Sequence, residues 1–563
     1  MGLGDKSIMS KRQYHAYALA WLLILLGWLF VLNYLSNKFF FRLDLTEGKA
    51  YTLSKATKSV LKELKQPATI TAYISGNLPA MIRSELGQIQ DLLNEYQVYG
   101  RGRLKFKSVN PEGNPELQDE LRSRGIEPIP YQVRGASELS LRQGYMAVEI
   151  NYLDQRQVFS NVLDMKDFEY AITSALLKLS SEKEIGVGYL SGHNEPDPYR
   201  ALKTLRETVE RQYLFSVVNQ VEGMSIPEDV SVLLVVSPQK ISDRDKYELD
   251  QFVMRGGKVI FLLDGVDVAE EYLMAFPKDD GLDDLLENFG VKRNHDLVMD
   301  LINEKVAFRQ GIFQLVQPYP LWVKVNIPVL KKLELAPDSQ LINSLDSVVL
   351  PWVSSLETVK GKEGVKITEL LKSSPKSWVQ AGQFSLDPNR MPPPMPFAEM
   401  GEKSRTLAVL LQGTFKSLYA NKPRPAEGDT AKSEDKSQPP KLDKSPETSI
   451  LVVGNGRFIK DDYLKLGDSN LDFVLNAIDW MTWGGKLLGV RSRVSIDRPF
   501  SQSISACLAE RSCSSWDIIR ILFARVAGPF LLPLAVVIYG LARFQVRRRA
   551  KKAWAASRKE AGK

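Results

Sequence analysis

The stretch from Glu184 to Tyr213 constrains the chain most, because it runs in order through a strand, a cluster of breakers and a helix. Ile185, Val187, Tyr189 and Leu190 supply the apolar strand, and Gly192 to Pro198 supply the breakers. Leu202, Leu205, Val209 and Tyr213 then recur at helical spacing. A strand feeding a helix is the opening half of a βαβ unit, which implies a parallel sheet with its ligand crevice at the carboxyl end of the strand. Ser191, Gly192, His193, Asn194 and Glu195 are therefore the candidate ligand or partner turn.

That turn does not spell a known catalytic motif. Gly186, Gly188 and Gly192 form G-x-G-x-x-x-G, one residue longer than the dinucleotide fingerprint, and Ser191 lies in G-x-x-S-G rather than the nucleophile elbow G-x-S-x-G. His193 and Glu195 offer an acid/base pair on an exposed loop. The alternative is that they cap the next helix and satisfy backbone groups, as polar turn residues commonly do.

Elsewhere the pattern repeats. Thr69 to Ile74, Leu104 to Val109 and Tyr145 to Ile150 are expected as strands, with Arg156 to Ser160 closing a hairpin and Met81 to Tyr96 forming a helix. Ser54 is placed to cap a short helix through Leu64. Val230 to Ser237, a helix from Ser242 to Met254, and the near-continuous apolar run Lys258 to Asp264 continue a doubly wound α/β domain, the last reading as a strand buried on both faces. Leu407 to Gln412 and Ser449 to Gly454 return as strands, and Asn470 to Trp480 as a helix. Trp322 and Trp352, each beside prolines, mark either an exposed aromatic partner surface or buried packing. Asp387 to Pro396 reads as a stiff polyproline-like connector. Asn421 to Thr448, rich in Pro, Lys, Asp, Glu and Ser, lacks the apolar surface to offset ordering and is expected to be disordered.

At 563 residues, with 44% hydrophobic and 25% charged side chains, the chain has ample material for several globular domains. Its net charge of +7 is concentrated at the end, where Arg543, Arg547, Arg548, Arg549, Lys551 and Lys552 crowd together. No aromatic-interleaved basic patch appears, so no nucleic acid is expected as a partner. Three histidines, at His15, His193 and His295, argue against a histidine-rich metal site, and no cofactor or metal is expected. Cys507 and Cys513 are candidates for a small-loop disulfide in an oxidising compartment and free thiols in a reducing one.

Tyr14 to Leu35 is uncharged and long enough to cross a bilayer; Ile518 to Phe544 is a second apolar segment, carrying Pro529 and Pro533. Positive residues flank both on the outer sides of the chain, so both termini are expected in the cytoplasm of a bacterial inner-membrane protein, with the bulk periplasmic. The expected fold class is thus α/β: two transmembrane helices flanking extracytoplasmic α/β domains, the central one doubly wound and flavodoxin- or amidotransferase-like. In numbers, 1–13 is a cytoplasmic N-terminus, 14–36 a transmembrane helix, 37–165 a first α/β domain and 166–420 the main α/β domain with a strand-rich insertion. Residues 421–448 are a disordered linker, 449–517 a return to the main domain, 518–544 the second transmembrane helix and 545–563 a basic cytoplasmic tail.

Several blocks in order carry a family resemblance: DLTEGKAYTLSKATKSVLKELKQPATITAYIS, DFEYAITSALLKL, YLSGHNEP, DRDKYELDQFVMRGGKVIFLLD, LAVLLQGTFKSLYANKPRP, VVGNGRFIKDD and LDFVLNAIDWM. Together they resemble the auxiliary component of ABC transport systems, the family of the gliding-motility-associated G component. The resemblance implies a membrane-anchored extracytoplasmic subunit of a gliding-motility or export-type transporter, working beside an ABC permease and an ATPase. It also implies an α/β domain similar to one in intraflagellar-transport proteins and distantly to amidotransferase-like folds. An amidotransferase needs a nucleophilic cysteine after a strand, and here none precedes Cys507.

The expected function is accordingly a non-enzymatic accessory subunit that binds partner or cargo through its α/β domains, with membrane lipid and an envelope cargo as further partners. No Gly-Lys pair is followed by Ser or Thr, so the chain carries no phosphate-cradling loop and is not the ATPase. A membrane-tethered hydrolase using Ser191, His193 or Glu195, and a cell-envelope glycan- or lipid-binding module, are the alternatives.

Overall fold

The computed structural model describes residues 52–491 apart from 135–138, 164–167, 182–184, 221–223, 311–312, 360, 363, 389, 391–402, 426–439 and 468, with parts of 20–31 and all of 537–549. The chain divides into two compact units, Met1–Ser495 and Ile496–Lys563. In the second, the described residues are a helix at 537–549.

The first unit is mixed α/β and opens on a helix, α1 (Lys55–Glu63), capped by the Ser54 side chain, which accepts from the Thr57 amide at 3.0 Å. A small sheet follows, built from β1 (Ala68–Ile74), β2 (Leu104–Val109), β3 (Met146–Tyr152) and β4 (Gln155–Phe159) in the order β2-β1-β3-β4. β1 and β2 are parallel, whereas β3 and β4 form the antiparallel hairpin that the alternation anticipates. Helix α2 (Ala80–Tyr99) packs on it through Leu86, Leu93 and Tyr96, against Ile70, Val148 and Ile150. α3 (Phe168–Ser180) is apolar nearly all round and correspondingly buried on several faces, with Ile172 and Leu176 in this core and Tyr170 and Leu177 in the next.

A nine-stranded sheet forms the centre of the unit. Its parallel strands are β5 (Gly186–Ser191), β6 (Leu214–Asn219), β7 (Val230–Val236), β8 (Lys258–Leu262) and, much later in the chain, β13 (Thr448–Val453). Between β8 and β13 come β9 (Val291–Arg293), β10 (Leu356–Thr358), β11 (Val365–Lys372) and β12 (Thr406–Gly413), which add antiparallel pairings. The parallel strands lie in the spatial order β6-β5-β7-β8-β13, that is 2-1-3-4-5 by sequence, so the order reverses between β5 and β7.

Both faces of these strands are covered, and the alternation of their side chains shows it. Val187, Tyr189, Val232, Leu234, Ile260, Leu262 and Leu451 point to one core, shared with Leu205 and Val209 of α4 (Lys203–Glu210) and with Phe473 and Ile478 of α7 (Asn470–Trp483). Leu190, Leu233, Val235, Val259, Phe261 and Val452 point to the other, shared with Leu249 and Phe252 of α5 (Asp243–Met254) and with Leu285 and Phe289 of α6 (Asp283–Phe289). A strand buried on two faces has no polar side to spare, which is why Lys258 to Leu262 is apolar throughout after its first residue. The glycines of β5 are packing glycines: a Cβ on Gly186 would stand 2.3 Å from the Asp229 carbonyl oxygen.

Strands Asp296–Asp300 and Ser377–Ala381, and strands Asn303–Gln310, Phe313–Asn326 and Ser347–Pro351, form two smaller sheets beside an aromatic core. Trp322 and Trp352 meet edge to face at 5.6 Å, and the indole N–H of Trp352 donates to the Tyr319 hydroxyl at 3.3 Å. Of the two expectations for these tryptophans, buried packing is the one observed.

The expectation of two transmembrane helices is corrected. Among the described residues no helix is long and apolar enough to cross a membrane, a task that takes about 20 residues. The bacterial inner-membrane location, with cytoplasmic termini and a periplasmic bulk, rested on those two spans and is not supported either. Most of Tyr14–Leu35 and Ile518–Phe544 lies outside the described residues, as do Cys507 and Cys513, most of the proline-rich connector, and 426–439 of the low-complexity segment.

Candidate functional site

The reversal of strand order between β5 and β7 is where an open α/β sheet forms its crevice, and the turn after β5 lies at that point. Two residues of the turn take positive φ, Gly192 at 121° and Asn194 at 59°, so the backbone folds back on itself immediately after the strand. The turn is then fastened to its neighbours: the Gln220 amide donates to the Ser191 carbonyl at 2.8 Å, and the Gln239 amide to the His193 carbonyl at 2.8 Å.

His193 fills the crevice. Its side chain is 6% exposed and lies between two buried carboxylates, with Nδ1 3.1 Å from Glu195 Oε1 and Nε2 3.1 Å from Asp245 Oδ2. Glu195 also accepts the His193 amide through its other oxygen at 2.7 Å. Asp245 sits in the first turn of α5, held by the N-cap Ser242, whose hydroxyl donates to Asp245 Oδ2 at 2.6 Å. A neutral imidazole donates from one nitrogen only, so serving both carboxylates requires the imidazolium. Burial pushes the ring toward neutrality, but the hydrogen bonds and charges of Glu195 and Asp245 outweigh it and raise the His193 pKa above its ordinary value.

This geometry decides what the turn can do. Both nitrogens of His193 are within hydrogen-bond reach of a carboxylate. His193 and Glu195 do come together, as a buried ionic clasp rather than an exposed acid/base pair. Asp245 is the member that sequence reasoning missed; nothing local to the helix from Ser242 says that its first turn rests on the end of β5.

The adjacent strand ends carry a second polar cluster that sequence reasoning did not assemble. Asp264, just past β8, accepts from the Ser237 hydroxyl at 2.6 Å and the Gly456 amide at 2.8 Å, so it ties the ends of β7, β8 and β13 together. Lys278 reaches the Ser237 carbonyl at 3.3 Å, and Arg457 pairs with Glu270 at 3.1 Å. Burial, and then the neighbouring Arg457 guanidinium, hold the Lys460 ammonium below its ordinary pKa. Beyond this cluster, Arg293 is fully buried and forks onto Asp280, with Nη2 2.8 Å from Oδ1, while Asp283 takes a further bond at 2.7 Å and holds His295 at 2.9 Å. Among the described residues no group of three or more His, Cys, Asp or Glu is placed to hold a metal ion.

The turn at the strand-order crevice is therefore held by its own buried ion pairs. The chain belongs to the family described as an ABC-type uncharacterized transport system, whose model matches residues 185–477, just over half of the chain. That is the auxiliary component of such systems, and membership supports an accessory role in transport; the match does not single out a gliding-motility component. Residues 47–151, which include β1, β2 and nearly all of β3 of the small sheet, match a domain of unknown function. An uncharacterized protein of Borreliella burgdorferi is 24% identical over 522 residues, spanning 91% of this chain and 94% of its own length. A solved structure, the mmIFT52 N-terminal domain, aligns with 53% of this chain and 97% of its own at 13% identity and a TM-score of 0.32.

Proposed function

We propose that this chain is a non-enzymatic accessory subunit that works beside an ABC permease and an ATPase and engages a partner or cargo through the surfaces of its α/β domains. The observation that carries the reading is the closure of the strand-order crevice. His193 is committed to Glu195 and Asp245, and the chemistry of a hydrolase at Ser191 would need that histidine free. Family membership supports the accessory role. Energy for transport would then come from a separate ATPase chain, since no phosphate-cradling loop is present in the sequence. The reading keeps the boundary between a first α/β domain and the main one at residues 165 and 166.

The test is recovery of the tagged full-length protein from its native cells under gentle extraction, with mass spectrometry of what accompanies it. A permease and an ATPase in comparable amounts are the expected result. Recovery of the chain alone, under conditions that keep other transporter complexes whole, would overturn the proposal.

A further inference from the structure

A cleft of about 640 Å³ opens away from the strand-end crevice, between β4, α3, the end of α4 and the start of α7. Its volume falls in the range of small-molecule sites, roughly 300–1,000 Å³. Its floor is apolar: Ala175 and Leu475 are buried, and Phe159 is partly so. Two cations line it, Lys178 from the last turn of α3 and Arg211 immediately after α4. Neither has an ion-pair or side-chain hydrogen-bond partner among the described residues, in a molecule where Arg124, Arg206, Lys246, Arg293 and Lys324 all do. Among the described residues of the lining, Asp472 is the one acidic group against the two cations.

An apolar floor beneath two cations that no described residue pairs suits a ligand of matching polarity. We propose that the cleft binds an amphiphilic organic anion, with a carboxylate or phosphate head at Lys178 and Arg211 and an apolar body on Phe159, Ala175 and Leu475. Charge-assisted hydrogen bonds to the head supply orientation, and burial of the body supplies most of the affinity. The inference does not rest on the accessory-subunit reading: ligand binding in this cleft and recovery of a permease are separate observations, and either can fail alone.

Both cations also lie at helix carboxyl ends, where positive charge is favourable without any ligand. The experiment separates the two roles. Full-length protein is titrated calorimetrically with 4-phenylbutyrate and with 4-phenylbutyl phosphate, and then with 4-phenylbutylamine, which keeps the body and reverses the head. Saturable binding of at least one anion is expected, the better of the two naming the head, with binding of the amine weaker by about tenfold or more. K178Q combined with R211Q should weaken the anion by a similar factor, and A171F, which projects a ring into the cleft, should abolish binding while circular dichroism stays native. The proposal is overturned by no saturable heat with either anion, by equal binding of the amine, or by a double variant that melts earlier yet binds the anion as the wild type does.

Discussion

Tyr170 and Asp479, 309 positions apart in the sequence, meet at 2.6 Å, the phenol of α3 donating to a carboxylate of α7 that is 1% exposed. The other oxygen of Asp479 accepts from Tyr213 at 2.6 Å. A buried carboxylate with two phenolic donors is thus the knot between three segments: the helix that leads into β5, the end of the strand-turn-helix stretch, and the late helix α7. Burial first, and then the charge of Asp479, push the Tyr213 pKa well above its ordinary value, so the hydroxyl stays protonated and keeps donating.

Removing one donor leaves the carboxylate underserved where water does not reach. Tyr213→Phe should lower stability by about 1.5–3 kcal/mol, the range for a hydrogen bond to a charged group. Urea unfolding checks this, and Tyr170→Phe with Tyr213→Phe should cost more than either change alone. A loss for Tyr213→Phe within experimental error would deny the knot its role.

Arg293 presents the opposite polarity. It and Asp280 are both fully buried, so Arg293→Met leaves an uncompensated carboxylate beneath β9. The expected destabilisation is about 3–5 kcal/mol, well beyond what a surface pair such as Arg122 with Asp119 contributes. Thermal melting of Arg293→Met beside Arg122→Met makes the comparison, and equal melting points would contradict it.

The clasp at His193 predicts a pH dependence of definite sign. Its folded pKa lies above its ordinary value of 6.5, so the folded state holds the proton more tightly than the unfolded chain. The contribution to stability is therefore complete below about pH 6.5 and is lost as pH rises through the folded pKa. His193→Gln should be less stable than wild type at pH 6, and the gap should narrow by pH 9. Melting curves at the two pH values decide it; a constant gap would mean that the imidazolium is not what holds the turn.

The strand glycines give a ranking. A Cβ on Gly188 meets only side-chain atoms, Val230 Cγ1 at 2.9 Å, Val218 Cγ2 at 3.0 Å and Leu233 Cδ1 at 3.1 Å. On Gly186 it meets a backbone carbonyl at 2.3 Å, which cannot rotate away. Gly188→Ala should cost about 1–3 kcal/mol by overpacking, and Gly186→Ala more. Denaturant midpoints in the reverse order would show that β5 and β7 can separate at little cost.

The sequence by itself determined the local elements, because helix and strand periods are written in neighbouring residues. The apolar run of β8, the Ser54 cap, the β3–β4 hairpin and the strand-turn-helix of residues 184–213 were all legible for that reason. β6 was not, since an edge strand with half its residues exposed carries little hydrophobic signal. What only the tertiary structure decided was which distant side chains share a buried space. Glu195 is two residues from His193 and was foreseen beside it, whereas Asp245 is 52 residues away, and the strand order brings the start of α5 over the end of β5. The same holds for Asp479 between its tyrosines and for Arg293 on Asp280. A charge in the sequence is an open valence, and burial against a specific partner, set by topology and not by spacing, is what makes it a clasp.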